Sequence, residues 1–134
     1  MSREELFEQV KNKYLELAQE VNNFKKDNKK ELKTYKNGVY TFWDKDDKLL
    51  YVGMISNRKY TDLYKRLYGH AGGSHFKTKF WFNNITKVKF YHLSNGSKQQ
   101  VRVLERILID TLFPIYNDLF FEDNEIQEII NLMV

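Results

Sequence analysis

The chain has 134 residues, 42% of them hydrophobic, with 10 Phe, 9 Tyr and 2 Trp; this suits one compact domain with a real core, leaves no room for two, and excludes a disordered chain. It has no cysteine, which excludes disulfide staples and cysteine-ligated zinc. The net charge of +4 is unevenly spread: residues 1–24 carry 3 basic and 5 acidic side chains, residues 25–102 carry 18 and 6, and residues 103–134 carry 1 and 7.

A basic middle between acidic ends suits polyphosphate as a partner; a solvated lysine-rich surface accounts for the same pattern equally well. The N-terminal Met1-Ser-Arg-Glu-Glu-Leu6 has no apolar core of a secretory signal. No uncharged apolar run approaches the roughly 18 residues that a membrane span needs. The expectation is a cytoplasmic or nucleoid-associated protein with no membrane partner.

In chain order, Leu6, Phe7, Val10, Tyr14, Leu17, Ala18 and Val21 recur at spacings of three and four, which predicts an amphipathic helix over 3–24. The lysine-dense stretch 25–36 reads as a connector. From Gly38 the pattern changes. Val39-Tyr-Thr-Phe-Trp43 and Leu49-Leu-Tyr-Val52 are rich in β-branched and aromatic residues around the turn-like Asp44-Lys-Asp-Asp-Lys48, which predicts a hairpin. Asp62 or Thr61 caps a helix to about Tyr68, with Leu63 and Leu67 inward and Gly69 ending it. Residues 76–83 are ambiguous, with a short helix as one reading. Ile85 to Leu93 alternates as a third strand, and Asn95-Gly96 turns the chain. Ser97 or Lys98 opens a strong helix to Leu112, stopped by Pro114, and residues 125–134 form a last amphipathic helix.

The fold class expected is α/β (α+β): a small three-stranded antiparallel sheet flanked by helices, with an extra N-terminal helix. The organisation expected is one domain, in which 1–37 is a helical extension, 38–117 the core and 118–134 a C-terminal helix.

Tyr40 or Tyr51 alone is most simply a packing residue of a half-buried strand. Five elements arriving in one order carry more: Gly38-Val-Tyr40, Tyr51-Val-Gly53, a helix with Arg66 and His70, a helix with Glu105, and Pro114-Ile-Tyr-Asn117. This ordered set resembles the GIY-YIG nuclease domain of repair incision nucleases, homing endonucleases and some restriction enzymes. The resemblance covers residues 38–117 and implies a metal-dependent DNA endonuclease. Valine replaces the motif's isoleucine in both segments and keeps its β-branched volume. Met54 stands where repair-type members commonly have lysine, a departure that points away from a close repair-nuclease identity.

Phosphodiester hydrolysis needs a positioned water, a route for its proton, and positive charge on the phosphate as its negative charge grows. On the helix 101–112, Arg102, Arg106 and Asp110 fall on a polar stripe, and Val101, Leu104, Leu108 and Leu112 on a buried one. Glu105 lies on the boundary, where a carboxylate reaches a cleft while its stem packs. The resemblance makes it the metal ligand, and a single carboxylate completed by waters and phosphate oxygens suits Mg²⁺ (or Mn²⁺). Arg66 and His70, four residues apart, share one helical face. The resemblance assigns Arg66 to the phosphate charge and His70, with Tyr40 and Tyr51, to positioning or deprotonating the water. The choice between Tyr40 and His70 as base stays open. Asn117 resembles the family's bracing asparagine, or is a turn residue after Pro114.

Lys59, Lys65, Lys77 and Lys79 are candidate DNA contacts. Phe80-Trp-Phe82 reads as core, with a DNA-facing loop built from His75, Lys77, Lys79 and Trp81 as the alternative. Two other functions compete with the nuclease: a DNA-binding module with weak or no catalysis, and a protein-interaction domain. No long recognition segment is visible, which leaves low sequence specificity, structure-selective cutting, or targeting by a protein partner or oligomer as the alternatives.

Overall fold

The computed structural model describes residues 1–56, 61–69, 79–117 and 123–133. Helix α1 (Arg3–Leu17) opens with a capping box: Ser2 accepts from the Glu5 amide, and the Glu5 carboxylate accepts from the Ser2 amide. It stops seven residues short of the expected end. Ala18 is extended, and Gln19–Glu20 form strand β1. Val21, which a longer helix would have placed in its apolar stripe, is buried beside the sheet and donates its amide to the Val88 carbonyl at 2.8 Å. The reason is tertiary. A free sheet edge satisfies backbone groups of 19–21 that helix propensity around Val21-Asn-Asn23 supports weakly.

Helix α2 (Lys29–Leu32) is one turn within the stretch expected as connector. Strands β2 (Gly38–Trp43) and β3 (Leu49–Ile55) form the expected hairpin. Its turn is held by the Asp44 carboxylate, which accepts from the Asp46 and Lys48 amides at 2.8 and 2.9 Å. Helix α3 (Leu63–Tyr68) is capped by Asp62, whose carboxylate accepts from the Lys65 amide at 2.8 Å. A single 3₁₀ turn, Phe82–Asn84, falls where the sequence was ambiguous and leads into β4 (Lys87–His92). Helix α4 (Lys98–Leu112) begins with a second capping box, Ser97 with Gln100, and helix α5 (Asp123–Leu132) follows. Among the described residues no helix is long and apolar enough to cross a membrane.

The sheet is antiparallel in the order β1-β4-β2-β3, one strand more than expected, because β1 adds to the outer edge of β4. Its two faces bury different sets. Tyr40, Phe42, Leu50, Ile55, Val88 and Phe90 pack with Leu63 and Leu67 of α3, Leu32 of α2, and Trp81. Val39 and Val52 pack with Tyr14 of α1 and Val101 and Leu108 of α4. The Tyr14 hydroxyl is satisfied inside this second layer by Thr41 Oγ1 at 3.0 Å and the Val39 carbonyl at 3.2 Å. Thus α1 is tied to the centre of the sheet by a polar anchor in an otherwise apolar contact.

The exit from α4 positions the site. Phe113 adopts the left-handed conformation at φ 52° and Pro114 follows, so the helix cannot continue. The chain then runs along β3, the sheet's other edge: the Ile115 and Tyr116 amides donate to the Leu49 and Leu50 carbonyls at 3.1 and 2.9 Å.

Candidate active site

Tyr40 and Gly53 are direct partners across the hairpin, and Tyr51 lies two residues before Gly53 on the same face. The pairing explains the glycine. A Cβ at residue 53 would overlap the Tyr40 phenol, so the ring crosses β3 only because residue 53 has no side chain. Gly38, at the start of β2, is close-packed in the same sense: a Cβ there would strike the Tyr91 carbonyl oxygen. The Tyr40 and Tyr51 rings then stand 6.4 Å apart, 25° from parallel.

Arg66 of α3 and Glu105 of α4 act on these phenols through their charge. Burial pushes the Tyr40 phenol far above the ordinary tyrosine value, with Tyr51 adding to the rise, Arg66 opposing it and Glu105 adding again. Tyr51 is also raised, by burial and then by Glu105, again against Arg66. The Glu105 carboxyl is held above the usual carboxylate value by burial, in spite of Arg102, Arg66 and Arg106. These couplings place Tyr40, Tyr51, Arg66 and Glu105 in one electrostatic neighbourhood. Glu105 is half-buried and Arg66 exposed, so a half-buried carboxylate shares this neighbourhood with a permanently charged donor open to solvent.

Asn117 is fixed by two hydrogen bonds to a single residue. Its side-chain oxygen accepts from the Val52 amide at 2.7 Å, and its side-chain nitrogen donates to the Val52 carbonyl at 2.8 Å. The amide thereby acts as one more residue of ladder on the open edge of β3, between Tyr51 and Gly53.

Other expected residues are less close or fall elsewhere. His70, Lys59 and Lys77 lie outside the described residues, as does His75. Helix α3 carries Arg66 and ends at Tyr68, with Gly69 extended at ψ 160°. Lys65 is exposed on α3, and Lys79 is exposed beside Phe80. Met54 pairs with Val39 and packs into the layer beneath α1 and α4, an apolar setting suited to methionine.

Two site neighbours escaped sequence reasoning. Trp81, 3% exposed, stacks on Tyr51 with centroids 5.6 Å apart and 18° between planes. Tyr116 also stacks on Trp81, at 5.3 Å and 5°. Trp81 follows the core reading of the Phe80-Trp-Phe82 cluster, but the cluster itself held no signal that its core partner was a motif tyrosine. Arg102, a turn before Glu105, was assigned only to a polar stripe; its spacing of three from Glu105 was the available clue.

Among the described residues, no group of three or more His, Asp or Glu side chains is gathered as a ready metal cage. Among the described residues, Glu105 is the carboxylate whose charge acts on the motif phenols. A lone carboxylate fits a hard cation that keeps most of its own waters and shares phosphate oxygens with its substrate.

The model for the GIY-YIG catalytic domain matches residues 36–117 of this chain. Two curated relatives, both UvrABC system protein C, come from Flavobacterium johnsoniae and Flavobacterium psychrophilum; each is 36% identical over 88 residues. That stretch is 64% of this chain but 14% of each relative.

Proposed function

This chain belongs to the GIY-YIG nuclease family, and from that premise we propose that it is a divalent-metal-dependent DNA endonuclease using Tyr40, Tyr51, Arg66, Glu105 and Asn117. One observation carries the reading: Arg66 and Glu105, from α3 and α4, both act on the two motif phenols of the hairpin. Four chemically suitable groups from separate parts of the chain converge, as a phosphodiester site requires.

In this reading Glu105 holds Mg²⁺ or Mn²⁺, which when bound supplies Lewis-acid polarisation and neutralises phosphate charge. Arg66 grips a non-bridging phosphate oxygen and stabilises the charge that grows on it as water attacks. Burial raises the Tyr40 phenol, and in this reading its hydroxyl orients the attacking water. Tyr51, pressed against Trp81, lines the other side of that water. His70, four residues beyond Arg66 in sequence, is the proposed proton acceptor. Asn117 positions Tyr51 and Gly53 by holding Val52 between them. Lys59, Lys65, Lys77 and Lys79 are proposed contacts to the flanking phosphates. A protein partner supplies targeting, and a cytoplasmic or nucleoid-associated location follows from DNA as substrate.

The test is plasmid nicking with Mg²⁺ or Mn²⁺ and with EDTA, for the wild type and Glu105→Gln. The expected result is cutting that EDTA stops and that Glu105→Gln lowers by roughly a hundredfold or more, the scale of losing one principal electrostatic group. Cutting that survives the substitution removes Glu105 from the chemistry.

A DNA-binding module with little catalysis is the second reading, favoured by apolar Met54 and by a Tyr40 phenol raised by burial. It gives binding that weakens steeply with salt and no nicking with either metal.

A further inference from the structure

Phe80 is 79% exposed, yet its ring is anchored. It meets Tyr116 edge-on, with centroids 5.3 Å apart and 88° between planes. Tyr116 stacks on Trp81, and Trp81 on Tyr51. Phe80 is therefore the outer end of a continuous run of rings whose inner end is a motif tyrosine. Both supports are fixed by backbone bonds. The Phe82 amide donates to the Lys79 carbonyl at 3.0 Å, closing the turn that displays Phe80, and the Tyr116 amide is bonded to Leu50.

A single exposed apolar side chain is ordinary on a protein surface. This one differs in being a flat ring, held by another ring, beside the site and next to the exposed cation Lys79. Three ring contacts, Phe80–Tyr116, Tyr116–Trp81 and Trp81–Tyr51, link it to the motif tyrosine.

We propose that Phe80 is a nucleobase-stacking residue that makes the enzyme prefer DNA carrying an unstacked base near the scissile phosphate, as at a gap, a mismatch or a single-stranded junction. The inference rests on the nuclease reading above and adds the substrate class to it. In an intact duplex each base already stacks on its neighbours, so Phe80 has no face to meet unless a base is first unstacked and extruded, which is unfavourable. Where the base is already free that cost vanishes, and stacking on the ring adds to affinity. Because Tyr116 already orders the ring, stacking sacrifices little side-chain freedom.

The experiment measures binding in EDTA to an intact duplex and to the same duplex with a one-nucleotide gap flanked by 2-aminopurine. The expected result is tighter binding of the gapped DNA, with a change in 2-aminopurine emission on binding. Phe80→Ala should weaken binding to gapped DNA by roughly five- to a hundredfold, the range for one base–aromatic stack, and leave the intact duplex unchanged. Phe80→Leu, which keeps apolar bulk without the ring, should behave like alanine; Phe80→Trp should restore the preference. Equal wild-type affinity for both DNAs, or a preference that survives Phe80→Ala and Phe80→Leu, overturns the stacking role. If metal-dependent nicking still requires Glu105 in that case, the nuclease reading stands without it. A wild-type protein that binds neither DNA at low salt and nicks no plasmid overturns both.

Discussion

A methyl group at residue 53 would occupy space that the Tyr40 phenol fills. Gly53→Ala is therefore expected to cost about 1–3 kcal/mol, the usual range for overpacking, measured by urea unfolding. Activity should fall further than stability, because the ring that must move is the one proposed to orient water. A second residue-scale effect is acidic. His92 is exposed at the end of β4, but one face of its ring stacks on Tyr35 at 5.1 Å and 22°, and the water lost from that face lowers its pKa. The folded state thus disfavours the imidazolium: the stability that neutral His92 contributes is full above the unfolded pKa near 6.5 and is lost as pH falls through the lower folded value. His92→Gln should narrow the difference in Tm between about pH 7.5 and about pH 5.5; an unchanged difference would remove His92 from the acid response. Tyr40, Tyr51, Gly53 and Asn117 could be read from the sequence because each sits in a short motif of fixed order. Trp81 and Tyr116 could not be linked to Tyr51, since an aromatic cluster says that rings pack and not which ring they meet.

Elements with local causes were legible, and those with distant causes were not. Ser97-x-x-Gln100 and Asp62 are start signals that act within one turn of their own helices, and the Asp44–Lys48 turn carries its own hydrogen bonds. The end of α1 has no such signal. The helical spacing runs on through Val21, and what stops it is the edge of β4, some seventy residues away in sequence. The brace on β3 is also remote. Asn117→Ala removes both bonds to Val52 and should cost about 1–3 kcal/mol, as for a partly buried group left unpaired. Hydrogen exchange at the Val52 amide reports it directly: protection should fall there more than at the paired amides of β2. Uniform loss across the sheet would mean that Asn117 acts on global stability alone.

At the scale of the whole molecule, the charge pattern and the family core do not share boundaries with the folded layers. The family match begins at residue 36, yet Tyr14 and Val21, both ahead of it, are 2% exposed. A fragment of residues 36–117 loses the Tyr14 anchor and β1 together. It is expected to elute in aggregates or unfold well below the Tm of the 134-residue chain, as light scattering and thermal melts would show. A monomeric fragment with an unchanged Tm would make residues 1–35 an ornament.

The two residues of β1 have a further meaning for this sheet. One of its edges is covered by Asn117 and the strap that follows α4, the other by Gln19–Glu20, so each outer strand is guarded by a segment from the opposite end of the chain. Bare strand edges recruit other strands. On a protein expected to gather on DNA at high local concentration, two short guards would keep neighbouring copies from pairing with each other instead of with their substrate.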